Sequence, residues 1–433
     1  MRMLYELLYV FGLLLYVPSA MWRKRLPHRG WSMRLGRYPR RVVEALRDRQ
    51  ALWLHAVSVG EVLAVQPLLR ALTQVYPEYV TVVSTVTPGG FEVASKQLGE
   101  RGVPVYFPLD LRGCVSRALD ALHPRILLLM ESELWPTVIR LAKARGIPIA
   151  VINGRISPRA FRRYQRIRSW LAGMLDQVDL FLMQSQTDAD RIIQLGAPPK
   201  KIRVVGSLKW DASLGSRPSP HAIQEAAARL GVGAADVVVV AGSTHRGEED
   251  AVLAAFQTIR ASHPSARLVV APRHLERVSE VEAGVRQAGL QVVRLSQAAP
   301  PPPWEVGLVD AFGQLPLYYG MATIVFIGGS LIPHGGQNPL EAAGLGKPVV
   351  FGPFMHNFAE ISHQLLAHHA ARQVERPQEL ASLFQELLEQ PAQAQQMGRC
   401  AQELTERLQG ATQRTLGALQ SLLQEREWPK GYG

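Results

Sequence analysis

Cysteine is scarce in this chain of 433 residues: Cys114 and Cys400 are the two, far apart in sequence. That excludes a disulfide-stapled secreted fold and a cysteine-based zinc site. HExxH and CxxC are both absent, so two common metal-ligand spacings are missing as well. Acidic residues are the minority, 36 Asp and Glu against 48 Lys and Arg, for a net charge of +12. Such an excess calls for an anionic partner: nucleic acid, a membrane surface or a phosphorylated substrate. Long apolar runs are also lacking. The longest clean one near the amino terminus, Leu7 to Val17, is eleven residues, against about 20 for a spanning helix. Apolar residues as a whole are plentiful at 47%, which excludes a disordered or fibrous protein. The length suits two or three domains.

Residues 3–21, MLYELLYVFGLLLYVPSAM, are apolar except for Glu6. Tyr5, Tyr9, Tyr16 and Trp22 suit a membrane interface. A basic collar follows: Arg23, Lys24, Arg25, Arg29, Arg34, Arg37, Arg40 and Arg41. Positive residues on that side keep the bulk of a chain cytoplasmic. Residues 1–22 are therefore expected to be an uncleaved anchor or interfacial helix, with the collar on anionic headgroups. A buried core helix and a cleaved signal peptide are the alternatives.

Beyond the collar, short Val- and Ile-rich runs alternate with helical stretches. The runs are Ala51–Val57, Val80–Val86, Val103–Phe107, Ile126–Met130, Ile147–Ile152, Leu180–Gln184 and Ile202–Val205. A break rich in Gly, Ser and Pro covers 206–222. A second series comprises Val237–Ala241, Arg267–Ala271, Gln291–Arg294, Val306–Val309, Ile324–Ile327 and Val349–Phe351. Without polar alternation, these runs predict parallel strands covered on both faces. Helices are predicted at Val62–Gln74, Pro136–Arg145 and Ser157–Asp176, and throughout 376–426. The expected fold is α/β, with two doubly wound domains over 23–212 and 213–433, the second with a helical tail. Facing one another, they would leave a cleft lined by strand carboxyl ends, where ligands bind in open α/β sheets.

Charged and glycine-rich segments sit just after several strands. Ser58-Val59-Gly60-Glu61 has capping-box spacing, with Ser58 as N-cap and Glu61 returning to its amide. Glu61 also fits a general base at a helix amino terminus, with Gly60 leaving room for a substrate. Glu131 and Glu133 end the fourth run, and one of them is free for a substrate while the other caps the helix at Pro136. Lys209 opens the linker, either as a solvated surface lysine or as a neutraliser of a carboxylate or leaving phosphate. Ser243, Thr244 and His245 form a small-residue loop suited to an anion, without Walker A or GxGxxG spacing. Pro272-Arg273 places a planar guanidinium where a phosphate would bind, and His274 beside it reads as a structural hydrogen-bonder. Gly328, Gly329, Gly335 and Gly336 surround a loop leading to Asn338 as N-cap and Pro339 as first helical residue. This loop reads as a phosphate cradle, and Glu341 could accept ribose hydroxyls. Asp188-Ala189-Asp190 resembles a metal pair but falls where helix-start acids are expected. The basic segment Arg159 to Arg168 is a solvated face or a receiver of acceptor phosphates.

Taken together, HAVSVGEV, ESELWP, NGRIS, GSLKWD, AGSTHRGEE, APRH and GGSLIPHGGQNPLEAA span residues 55–343 in one order. In this the chain resembles the 3-deoxy-D-manno-octulosonic acid (Kdo) transferases of lipopolysaccharide synthesis. The resemblance implies a GT-B type glycosyltransferase of two Rossmann-like domains, the first binding acceptor and the second CMP-sugar. It implies transfer of Kdo from CMP-Kdo to a lipid A precursor, lipid IVA, at the cytoplasmic side of the inner membrane, with no metal and no nucleic acid. By the same resemblance Glu61 is the general base, and Glu131 and Lys209 stabilise the transition state. Pro272, Arg273, Gly313, Gln314, Leu315, Asn338, Pro339, Leu340 and Glu341 would bind the nucleotide. Gln314 departs from the GEL or GEM expected in that family. Ser58, Gly60, Glu133, Ser243, Thr244, His245, Gly329, Gly335 and Gly336 are candidates for donor or acceptor contacts. The rival readings are a GT-B enzyme using another nucleotide sugar on a lipid, and a membrane-attached nucleic-acid-binding protein.

Overall fold

A computed structural model describes residues 5, 6, 9, 11, 12, 30–47, 49–99, 102–212, 217–233, 235–296 and 304–424. The chain divides into two units, residues 1–212 with 409–433, and residues 213–408.

The first unit holds seven strands: β1 (Ala51–His55), β2 (Val80–Thr85), β3 (Gly102–Tyr106), β4 (Pro124–Met130), β5 (Ile149–Gly154), β6 (Leu180–Met183) and β7 (Ile202–Val204). They lie in the order β3-β2-β1-β4-β5-β6-β7, every neighbour parallel. Successive side chains feed opposite faces. Trp53, Leu127 and Leu129 enter one core, and Leu52, Leu54 and Leu128 the other. That double burial is why these runs read as continuous apolar sequence.

The second unit repeats the architecture with β8 (Val238–Thr244), β9 (Arg267–Pro272), β10 (Val292–Arg294), β11 (Val306–Leu308), β12 (Ile324–Ile327), β13 (Val349–Phe351) and β14 (Ala371–Gln373). The order is β10-β11-β9-β8-β12-β13-β14, again all parallel. Each predicted run is a strand. β14 was not predicted, because this edge strand is an Ala-Arg-Gln triplet whose Arg372 reaches out to Glu386 at 3.0 Å. In each sheet the order reverses once, between β1 and β4 and between β8 and β12. Crevices at such switch points receive ligands.

Four expectations need correction. The helical tail does not all belong with the second half: helix Ala411–Gln424 packs in the first unit. Its Leu416, Leu419 and Leu423 join Leu68, Leu72 and Leu208 in one core, each buried leucine contributing roughly 1.5–3 kcal/mol. Asp211 secures the start of this helix, accepting the Gly410 amide at 2.8 Å and the Thr412 amide at 2.5 Å. The predicted helix Val62–Gln74 is two, Val59–Ala64 and Gln66–Val75. Pro67 has no N–H to continue the ladder, so the chain restarts there. The basic segment is likewise two helices, Pro158–Gln165 and Arg168–Leu175, parted at Ile167, whose φ of −118° and ψ of 20° are not helical.

The fourth concerns the collar. Arg34 is buried, donates to the Val86 carbonyl at 2.5 Å and lies 4.6 Å from the Tyr106 ring centre. It therefore holds the fold rather than a headgroup; Arg37, Arg40 and Arg41 are exposed. Most of the expected anchor (1–4, 7, 8, 10 and 13–22) and collar residues 23–29 lie outside the described residues. Among the described residues no helix is long and apolar enough to cross a membrane. Those described near the amino terminus dock on the first unit: the Tyr5 hydroxyl donates to Asp110 at 2.7 Å, and its ring stacks on Trp170.

Asp211→Ala should remove both bonds that seat the last helix, costing about 1–2 kcal/mol in the range of a lost helix cap. Urea melts followed by circular dichroism would show the shift; an unchanged midpoint would refute the seating role.

Candidate functional site

At the first switch point, β1 runs into Ala56–Ser58 and helix Val59–Ala64. Ser58 is the N-cap, its Oγ accepting the Glu61 N–H at 3.4 Å. The Glu61 carboxylate accepts from the Val57 amide at 2.9 Å and from the Ser58 hydroxyl at 3.0 Å. The predicted box therefore closes on Val57, one residue earlier than its usual form. Burial pushes the Glu61 carboxyl above its ordinary range, the Val57 amide opposes this, and the Glu131 charge adds to it. Ser58 and Lys209 pull it back down. Capping is compatible with base chemistry here, since a carboxylate with raised proton affinity is the stronger base. A Cβ added at Gly60 would meet nothing closer than the Ser58 Oγ at 4.0 Å, so packing does not require glycine there.

β4 ends at Met130, and Glu131 follows with a φ of 53° that turns the chain sharply. Its carboxylate lies 3.1 Å from the Lys209 ammonium, presented by helix Leu208–Ala212. Glu133, two residues on, has its carboxyl pushed up to about 7 by burial and by the Glu61 charge, opposed by Trp135 and reinforced by Glu131. The structure thus gathers Ser58, Glu61, Glu131, Glu133 and Lys209 at one switch point. The Glu131 charge acts on Glu61, and both charges act on Glu133; carboxylates perturbed in this way cluster at functional sites.

The second switch point is built around Glu248, which has no exposed surface. Its carboxylate accepts four backbone amides, from His245 (2.9 Å), Gly329 (2.7 Å), Ser330 (3.0 Å) and Leu331 (2.9 Å). It ties the loop after β8 to the loop after β12. Sequence reasoning did not single it out; the capping spacing from His245 to Glu248 was the available signal. Three of the glycines have packing reasons: at Gly335, with φ of 106°, a Cβ would run into Asn357 and His356. A Cβ at Gly328 would lie 2.4 Å from the Ser243 carbonyl oxygen, and Gly336, with φ of 75°, would put one against the Met355 sulfur. Ser243 itself bulges out of β8 with φ of 56°. The predicted cap is displaced by one residue: helix Leu340–Gly344 starts after Pro339, and the Asn338 Oδ1 accepts the Leu340 N–H at 3.1 Å.

Around this loop the rings of His245 and His334 lie 3.9 Å apart, with His274 5.7 Å from His245. Burial, then the charges of His334, His274, Arg273 and Arg277, push His245 down to about 4. Glu341 is raised by burial, with Asn338 and the Arg273 charge opposing. Arg273, Asn338, Glu341 and His245 are therefore electrostatic neighbours. Gln314 begins helix Leu315–Met321 and accepts the Tyr318 hydroxyl at 3.1 Å. That helix packs against Leu340–Gly344, and Gly313 precedes it in the left-handed region with open space around it.

Asp188 is structural. It accepts the Ile156 amide at 2.8 Å and the Ser185 hydroxyl at 2.6 Å at the start of helix Gln186–Gln194. Among the described residues no group of three or more His, Cys, Asp or Glu is placed to hold a metal ion.

The two-sheet architecture recurs in solved structures. The UDP-GlcNAc 2-epimerase of Neisseria meningitidis superposes with a TM-score of 0.56 at 15% identity, over 86% of this chain and all of that one. A glycosyltransferase from Rickettsia africae gives 0.54 at 10%, over 88% and 100%. The sequence narrows the class. Residues 29–212 match the family model for 3-deoxy-D-manno-octulosonic-acid transferase (kdotransferase). The 3-deoxy-D-manno-octulosonic acid transferase of Haemophilus influenzae is 32% identical over 378 residues, 87% of this chain and 88% of that protein. The Bordetella pertussis transferase is 34% identical over 392 residues, 86% and 87% respectively. The chain belongs to the Kdo transferase family and is a glycosyltransferase.

Because the folded state holds a proton on Glu133 up to about pH 7, the stability this contributes is present at low pH. It is lost as pH rises from the ordinary carboxylate range through about 7. Glu133→Gln cannot ionise, so its melting temperature should exceed the parent's at about pH 8 and match it at about pH 4. A gap that does not open with pH would contradict the assignment.

Proposed function

We propose that this enzyme moves Kdo from CMP-Kdo to lipid IVA as an inverting GT-B transferase. The observation that carries the reading is Glu61: a half-buried carboxylate of raised proton affinity at a helix start, beside the Glu131–Lys209 pair. In an in-line attack, the acceptor hydroxyl oxygen bonds to the anomeric carbon as the bond to the phosphate of CMP breaks. Glu61 takes the hydroxyl proton. Glu131 and Lys209 stabilise charge as it develops. CMP leaves as an anion, met by Arg273 and the backbone amides around it. Pro272, Gly313, Gln314, Leu315, Asn338, Pro339, Leu340 and Glu341 complete the nucleotide site, and the 213–408 unit is its domain. The first unit receives the acceptor.

The basic excess and the apolar residues 3–21 support attachment to the cytoplasmic side of an inner membrane, where a phosphorylated, acylated acceptor resides. A chain lacking residues 1–22 should move to the soluble fraction after a salt wash; retention equal to that of the full chain would contradict the anchor.

Glu61→Gln should lower transfer by at least about 100-fold, the contribution of a positioned base, while calorimetric CMP binding is retained. Arg273→Ala should weaken CMP by roughly 10–100-fold, as for a lost charged hydrogen bond. If UDP competes with the donor and CMP does not, the Kdo reading is lost.

A further inference from the structure

Asn153 sits in β5, wholly buried, with a left-handed φ of 51°. Asparagine tolerates that region better than most side chains, but it is still strained. β5 slips register against β6 between Val151 and Gly154, around this residue. Such bulges re-aim side chains and recur beside active sites. The Asn153 Oδ1 accepts the Leu208 N–H at 2.9 Å. The atom facing that donor must be the oxygen, which leaves Nδ2 buried with no hydrogen-bond partner among the described residues. A strained backbone and an orphaned donor are both unfavourable. Glycine would avoid both, so the Oδ1 contact to Leu208 is what asparagine adds at this position.

Leu208 is the first residue of helix Leu208–Ala212, directly before Lys209. The residue before Asn153 acts on the other member of the pair: the Ile152 carbonyl accepts the Glu131 N–H at 3.0 Å. Two consecutive residues of β5 thus hold the main chain at both Glu131 and next to Lys209.

We infer that Asn153 is a positioning residue that sets the Lys209 ammonium against Glu131. This rests on the roles proposed above for that pair and for Glu61. Lys209 lowers the proton affinity of Glu61 and Glu131 raises it, with Glu133 on the same loop. Helix Pro88–Leu98 also packs on the Glu61 helix, but its Glu92 and Lys96 pair with each other at 2.9 Å. Helix Gln66–Val75, which follows the Glu61 helix, carries Arg70. When Lys209 drifts, the Glu131 charge acts on Glu61 uncompensated. The base then holds its proton to higher pH, and the acid limb of the rate profile moves upward.

The experiment compares three variants of the full chain. N153G removes the oxygen and keeps a residue suited to a φ of 51°. L208P removes the N–H from the opposite side, at a first helical position where proline is tolerated. K209M removes the ammonium itself. Transfer from CMP-Kdo to a tetraacylated lipid A precursor is measured from about pH 5 to about pH 9 to define both limbs, and circular dichroism melts report folding. N153G and L208P should each lose about 100-fold in kcat, the effect of a misplacement of about 1 Å. Both should move the acid limb to higher pH, as K209M does. A purely structural defect lowers the rate without moving the limb. If K209M moves the limb and a folded N153G or L208P does not, the positioning role is overturned while the site reading stands. If K209M leaves rate and limb unchanged, the proposed role of the pair fails, and this inference with it.

Discussion

The central strands of an all-parallel sheet, covered on both faces, have no wet surface, and this constraint organises both units. Trp53, Leu127 and Val239 are wholly buried, so a polar side chain on a central strand must find its partner inside the protein, as Ser84 does by accepting the Trp53 Nε1–H at 2.8 Å. Chemistry is pushed to the strand ends, where backbone amides become available and helices begin. The crossover rule separates neighbouring loops at one place in each sheet. The carboxylates and lysine of the first unit and the histidines, arginine and glycines of the second lie at those places. The positions of these groups follow from sheet order before any ligand is considered.

Three carboxylates, one buried and two half-buried, show how desolvation leads to different behaviour. Glu248 meets four amides, and its charge welds two loops together. Glu61 has two donors and sits between a lysine and another carboxylate, so its proton affinity is raised but adjustable. Glu133 feels two like charges and stays protonated to about pH 7. Donor count and neighbouring charge, rather than residue type, set how readily each carboxylate takes up a proton.

Much of this was legible in the sequence because double burial leaves an unambiguous trace. Each Val- and Ile-rich run became a strand, and Glu61, Glu131 and Lys209 came together as the motifs implied. The losses have physical causes. A polar edge strand such as Ala371–Gln373 lacks the apolar signal. The pattern of Ala411–Gln424 says helix without saying which core its leucines enter. Proline and asparagine at 338–339 fix a helix start only to within a residue, since either can lie outside it. Asn153 was quoted only as part of a motif. Its importance depends on a left-handed backbone and a partner 55 positions away, neither of which a linear pattern contains.

The return of helix Ala411–Gln424 makes the second unit an insertion within the first. A ribosome completes every strand of the first sheet by Val204, yet Leu416, Leu419 and Leu423, which close one of its cores, arrive only after the whole insertion. At about 5–20 residues per second, that delay is on the order of 10–40 s. Throughout it, Leu68 and Leu72 lack the three leucines that share their core. The order of synthesis therefore leaves this core open until the helix emerges, and the first unit reaches its full packing only as translation nears its end.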